Sequence, residues 1–260
     1  MMDYSISSIY YSPVKSLSFE KLESCIIEKD IGILNDRLFA FSRNIDFEKA
    51  KLIEKIPSQR KLHYFLSLKN TPFLNKYNFN YDGLNLTLYK ENKKLISASL
   101  EDPDQLTLLC KKLIDLENSL TEPIYLLKNK NYPFFDTTHS ENVSNTISLI
   151  NLNSIRDFEI KYKKNIEFQR FRANFYVSGI DAWEERKWIN KIIKINNISF
   201  RVDKHIPRCS ATNLQPNTDK VTINLPFELK KIYNHIELGI YLTSLIDGKI
   251  NIGDKVVLDD

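Results

Sequence analysis

The chain has 260 residues, 42% of them hydrophobic, which is enough for a substantial core in one large domain or two small ones. Its 37 basic and 33 acidic residues leave a net charge of +4, too balanced for a nucleic-acid binder but compatible with a local anion-binding pocket. Three cysteines with no CxxC pair exclude a disulfide framework and fit a reducing compartment. The first residues lack a basic and apolar leader pattern, and no apolar run approaches the ~20 residues of a membrane span, so a soluble cytoplasmic protein is expected.

Residues 5–17 read as a strand entering a loop at Ser12-Pro13-Val14-Lys15-Ser16, and residues 24–29 as a second strand. Ile31-Gly32 predicts a turn, and Asn35-Asp36-Arg37 leads into the apolar run 38–41. A short helix is expected over 47–56, then strands over 63–68 and 84–89, with an Asp82-Gly83 turn before the second. Asp102 is a natural N-cap and Pro103 suits the first helical position, so a helix runs to about residue 118 with Leu106, Leu109, Cys110, Leu113 and Ile114 on one face. Residues 119–145 read as mixed loop with a strand over 124–127, and the domain boundary is placed at residue 120, giving parts 1–120 and 121–260.

The second half predicts strands at 147–150 and 175–177, with a helix between them, capped by Asn151 or Asn153 and running to about residue 162. The Trp183–Trp188 segment reads as a short amphipathic helix with buried tryptophans, capped by Asp181, with Glu184 or Glu185 available to pair a basic residue. Strands over 191–195 and 198–202 flank Asn196-Asn197, and Pro226 opens a helix to about residue 235. The run 241–246, Asp247-Gly248 and 249–252 predicts a hairpin, with a last strand over 255–258. Many short strands and few helices predict an α+β, mainly β fold: a β-barrel with peripheral helices. No GxGxxG, Walker A, HExxH or GxSxG pattern is present.

Four stretches are rich in anion-binding groups: Pro13–Ser16, Asp36-Arg37, Arg170-Phe171-Arg172-Ala173-Asn174 and Pro207-Arg208-Cys209. Arginine matches phosphate bidentately, and lysine adds a compact charge. A thiol beside positive charge is drawn toward thiolate, the nucleophilic and metal-ligating form. His205 and Cys209 alone do not make a zinc site, which needs three or four protein ligands. Cys25 in a strand and Cys110 on an apolar helix face read as core residues.

In order along the chain, Tyr11–Ser16, Gly32 with Asp36-Arg37, Ile147–Asn151, Arg170–Asn174, Gly179, Ala182–Glu185 with Trp188, Arg208–Thr212, Gly239–Tyr241 and Gly248 with Ile252–Asp254 resemble the MOSC-domain proteins. The likeness is to the two-part members that include the mitochondrial amidoxime-reducing component and its bacterial relatives. It implies an N-terminal β-rich, barrel-like MOSC N-terminal domain, a MOSC β-barrel domain and a Mo-molybdopterin cofactor. By the same resemblance, Cys209 is the catalytic residue and metal ligand. Lys15, Ser16, Arg37, Ser144, Arg172, Asn174, Arg208 and Cys209 bind the cofactor. Val143-Ser144-Asn145-Thr146 departs from the usual Ser-Pro pattern at that point. The implied activity is oxygen-atom removal from small N-hydroxylated substrates, with no part for pyridoxal phosphate, nucleic acid or a membrane. With three cysteines the chain has no four-cysteine iron–sulfur pattern, so a separate ferredoxin-, flavin- or cytochrome-type electron donor is implied. The rival reading is a cofactor or sulfur carrier that uses a persulfide on Cys209 without reductase turnover.

Overall fold

The computed structural model describes residues 4–117, 119–120, 123–136 and 143–259. Residues 1–3, read above for a leader, residue 121 at the start of the second part and parts of the 119–145 loop lie outside them. The chain opens with β1 (Ser5–Tyr11), β2 (Glu20–Leu22), β3 (Ser24–Glu28), β4 (Gly32–Ile33) and β5 (Phe39–Phe41), then α1 (Phe47–Lys55). A meander of β6 (Tyr77–Tyr81), β7 (Asn85–Lys90) and β8 (Lys93–Ser99) leads to α2 (Pro103–Leu116) and β9 (Leu126–Lys128). There follow β10 (Ile147–Asn151), α3 (Leu152–Tyr162), β11 (Phe175–Ser178), β12 (Ile192–Ile195) and β13 (Ile198–Pro207). The chain closes with α4 (Leu225–Tyr233), β14 (Glu237–Ser244), β15 (Gly248–Asn251) and β16 (Val256–Asp259).

Local chemistry explains the helices. The Asp102 side chain accepts from the backbone N–H of Asp104 and Gln105, and Pro103 stands where no intrahelical donor is needed. Leu109, Cys110 and Leu113 then turn one face of α2 into the core. Asn151 caps α3 in the same manner by accepting from Asn153 N–H.

An eight-stranded sheet in the order β16-β12-β13-β14-β10-β11-β1-β2 organises the molecule. It is antiparallel except for β10 and β11, which run parallel and are joined by the α3 crossover. Its faces are both buried. Leu149 of β10 lies in the core formed within the sheet, while Ile150 packs under α3 and α4 with Phe158, Leu225 and Leu229. A separate core gathers Phe39, Phe41, Leu86, Leu88, Leu109 and Leu113 with Val14 and Leu17. Strand pairing crosses the expected boundary at residue 120: β1 pairs with β11, and β3 with β15.

Several expectations need correction. The sheets are not closed into a barrel by continuous ladders. The long sheet instead curls until the start of β1 touches the segment just before β16 at one bridge, Ser5 with Lys255, flanked by Ile6 N–H donating to Asp254 O at 3.0 Å. The run from Asp247 to Gly248 does not make a hairpin, because β15 leaves β14 to pair with β3, and Asp247 Oδ1 accepts from Lys29 N–H at 2.6 Å. Residues 63–68 hold a 3₁₀ turn, Leu62–Tyr64, and one bridge from Phe65 to Ser42 rather than a strand. Asp181 does not cap the tryptophan segment; its 3₁₀ turn, Glu184–Trp188, has Trp183 at the N-cap and no side-chain cap.

Candidate functional site

The β1–β2 and β4–β5 loops, the segment before β11 and the segment after β13 meet around one cavity of about 330 Å³. Lys15, Ser16, Arg37, Arg172, Asn174, Arg208 and Cys209 all line it. Two irregularities near the end of β13, between Val202 and Lys204 and between His205 and Pro207, redirect the chain just before Cys209. Cys209 is exposed and unbonded to another cysteine, whereas Cys25 and Cys110 are buried. Burial pushes the Cys25 thiol up to about 12 and the Cys110 thiol up to about 11, so both are inert core residues as expected.

Three of these lining residues hold left-handed backbone: Ser16 at φ 65°, Arg37 at φ 53° and Arg172 at φ 52°. Most other such non-glycine positions among the described residues are Asn or Asp, which tolerate this region far better. Strained backbone of this kind costs about 1 kcal/mol or more per residue, and it concentrates where a site must be aimed.

The cations are engaged unequally. Lys15 is buried; its Nζ donates to Phe134 O at 3.0 Å and pairs with Asp136. Arg37 pairs with the buried carboxylate of Asp36 through one Nη. Arg172 donates from one Nη to Ser18 O and Ser12 Oγ. Burial, with Arg37 as a like-charged neighbour, pulls the Arg172 guanidinium down to about 10. It therefore stays charged at neutral pH, and two arginines stand close together beside an open cavity. Arg208 is spent differently: Nε reaches Leu238 O at 2.8 Å, Nη1 reaches Phe171 O at 3.0 Å, and Nη2 also bonds Leu238 O. Burial brings it too down to about 10. It braces the Cys209 segment against β14 and contributes its charge to the cavity.

Gly239 makes that brace possible. A Cβ there, at φ +86°, would lie 2.6 Å from Leu149 O and 3.2 Å from Arg208 Nη2.

Asn174 is also fully occupied. Its Nδ2 donates to Tyr10 O at 3.1 Å and Asp36 Oδ2 at 2.9 Å, while Oδ1 accepts from Ser148 N–H and Oγ–H. It shapes the floor of the cavity. Ser144 lies outside the lining; its neighbours Asn145 and Thr146 take that place. Thr146 Oγ1 is buried without a hydrogen-bond partner among the described residues, an unmet polar group at the cavity wall. The tryptophan segment lies elsewhere: Trp188 is in the sheet core, Trp183 packs on Tyr233 and His235, and Glu184 pairs with Lys187. Glu185 is buried and accepts from Ser154 and Asn151.

Sequence reasoning did not single out Asp36, Ser148, Thr146 or Tyr241 as site residues, although Asp36 stands directly before Arg37. Asp36 is the hub that joins Ser12 N–H, Arg37 and Asn174.

A cavity with cations in excess of carboxylates at one side and an exposed thiol in its lining can bind an anionic ligand and offer it a soft donor. Among the described residues no three His, Cys, Asp or Glu side chains form a metal-binding group. No helix among them is long and apolar enough to cross a membrane.

Fold and site together define an α+β protein with a cation-lined cavity and an exposed thiol in its wall. Residues 136–257, a little under half of the chain, match the MOSC domain family. The chain is 27% identical over 115 residues to mitochondrial amidoxime reducing component 2 of Bos taurus, a match covering 40% of this chain and 34% of that protein. Human mitochondrial amidoxime-reducing component 1 is 25% identical over 117 residues, covering 40% and 34%. The chain thus spans about a third of the length of these curated relatives. Among solved structures, the YUAD protein from Bacillus subtilis is similar with TM-score 0.46 and 12% identity, over 98% of this chain and 94% of that one.

Proposed function

We propose that the cavity holds a molybdopterin-type cofactor and that the protein reduces small N-hydroxylated compounds. The observation that carries this reading is the convergence of Lys15, Ser16, Arg37, Arg172 and Cys209 on one cavity. The donor set fits the group. A phosphate finds an ammonium, two guanidinium forks and a hydroxyl without a nucleotide-binding loop. A metal beside Cys209 meets one soft protein donor, as suits a metal whose other ligands arrive on an organic cofactor. The orphaned Thr146 Oγ1 offers a further hydrogen bond at the wall.

When bound, such a cofactor supplies the two-electron chemistry that converts N–OH to N–H, with two protons and two electrons consumed and water released. The chain's own part is binding and orientation. Lys15, Ser16, Arg37 and Arg172 anchor the anionic end, Asn174 and Arg208 hold the walls in place, and the Cys209 thiolate ligates the metal. Electrons come from a separate ferredoxin-, flavin- or cytochrome-type donor. The proposal includes a cytoplasmic location and the two-part organisation at residue 120, with β1 to β4 shared between the parts.

The test is purification under reducing conditions, followed by molybdenum and pterin analysis and an assay for hydroxylamine reduction with an artificial donor. Stoichiometric cofactor with turnover is expected. A persulfide on Cys209 without molybdenum would establish the sulfur-carrier role instead.

A further inference from the structure

One side chain of the Cys209 cavity stands apart from the anion seat of Lys15, Ser16, Arg37 and Arg172. Tyr241 lies on β14, which runs between β13 and β10, and its register partners there are Lys204 and Ser148. Its chain neighbours Ile240 and Leu242 are both fully buried in the core of the sheet. Side chains alternate along a strand, so Tyr241 faces the other way, into the cavity that Cys209 lines. Lys204 Nζ stands 5.7 Å from the centre of the Tyr241 ring and holds it from the β13 side.

The phenol is uncommitted, unlike the other hydroxyls around it. Ser148 Oγ donates to Asn174 Oδ1 and accepts from Asn174 N–H, and Thr212 Oγ1 donates to Cys209 O at 2.7 Å. Thr146 Oγ1 is buried in the wall. The Tyr241 hydroxyl makes no hydrogen bond to a described residue and is not enclosed, so it opens into the cavity. A phenol is neutral at physiological pH and keeps its proton to donate. Burial moves it further in that direction; Asp136 and Cys209 add to the rise, while Arg208 and Arg37 oppose it. Cys209 is thus close enough for its charge to bear on Tyr241.

We infer that Tyr241 is a catalytic residue, whose phenol donates a hydrogen bond to the oxygen of a bound N–OH group and holds that group at the Cys209 end of the cavity. This rests on the reading of the cavity as the site of N-hydroxyl reduction. In that reaction the N–O bond breaks, two electrons arrive from the separate donor, and nitrogen and oxygen each take one proton from solvent. Tyr241 gives up no proton in net; it orients the oxygen and takes up part of its developing charge.

The test compares the purified, cofactor-loaded wild-type protein with Tyr241→Phe, which keeps the ring and its packing. Without an electron donor there is no turnover, so binding of benzamidoxime and of benzamidine, the same compound lacking the oxygen, is measured by calorimetric titration. The ratio of the two affinities is expected to fall about tenfold in Tyr241→Phe, the worth of one hydrogen bond, and kcat/KM by at least as much. Pterin content, molybdenum content and melting temperature are expected to stay unchanged. An unchanged affinity ratio overturns the inference. Loss of pterin or of stability in Tyr241→Phe also overturns it, by making the hydroxyl a cofactor contact or a structural group. Absence of pterin from the wild-type protein removes the proposed function itself, and the inference with it.

Discussion

Asn174 and Asp36 meet at the floor of the cavity that Cys209 lines, Nδ2 donating to Oδ2 at 2.9 Å. The contact ties the loop before β5 to the start of β11, two segments 138 residues apart in sequence. Asp36 is wholly enclosed, and burial pushes its carboxyl up while the adjacent Arg37 draws it back. Removing one member of such an enclosed ion pair costs about 3 kcal/mol, because the partner is left uncompensated. Asp36→Ala should therefore lower stability by that amount in urea unfolding, and an unchanged midpoint would show that the hub does not hold the floor together.

Cys209 makes the opposite case. It is exposed, so Cys209→Ala should change stability by no more than about 0.5 kcal/mol. Reduction of N-hydroxylated compounds should vanish. Thermal melting and turnover, measured on the same preparation, separate the two effects; a large fall in melting temperature with cofactor retained would make the residue structural.

Arg172→Ala removes a half-buried cation from the cavity wall, so pterin content after gel filtration should fall, with Arg172→Lys recovering part of it. The lysine keeps the charge but loses the fork, so partial recovery measures how much of the binding is bidentate. Equal pterin content in all three proteins would remove Arg172 from the seat.

Gly239→Ala places a methyl 2.6 Å from the Leu149 carbonyl at a left-handed position, where the backbone cannot easily yield. A loss of about 2 kcal/mol or more is expected from strain and from displacement of Arg208. Denaturant unfolding tests it; a neutral result would mean that β10 and β14 can separate without cost.

His235 gives the stability a pH dependence. Burial lowers its pKa below 6.5, with Arg186 and His205 adding repulsion and Glu237 opposing them. As pH falls through 6.5 the unfolded chain takes up this proton before the folded one does. Its contribution is therefore complete above about 6.5 and is lost on acidification through the lower folded value. Between pH 7.5 and 5.5 the urea midpoint should fall more in wild type than in His235→Phe; parallel curves would refute the assignment.

Local signals carried far in the sequence. Asp102-Pro103 announced α2, Asp82-Gly83 announced the β6–β7 connection, and the basic stretches around Lys15, Arg37, Arg172 and Cys209 do share a cavity. What stayed hidden was non-local. Asp247-Gly248 has hairpin chemistry, yet β15 is claimed by β3, more than two hundred residues earlier in the chain. The polar, short β2 has no apolar alternation to reveal it. Nothing in the order of residues tells that Arg208 will spend its fork on Leu238 and Phe171 carbonyls, or that Thr146 rather than Ser144 will face the cavity. Those outcomes depend on how loops from distant strands meet.

The bridge between Ser5 and Lys255 sets an order on biosynthesis. β1 is made roughly 250 residues before the segment that completes its surroundings, an interval on the order of 10–50 s at ordinary rates of translation. The unit built from β5 to β9 with α1 and α2 can collect its own core in that time, while Ile6 and Ile9 remain without theirs. A nascent chain paused before residue 175 would therefore lack β11, the ladder partner of β1, and would present that edge of β1 to chaperones.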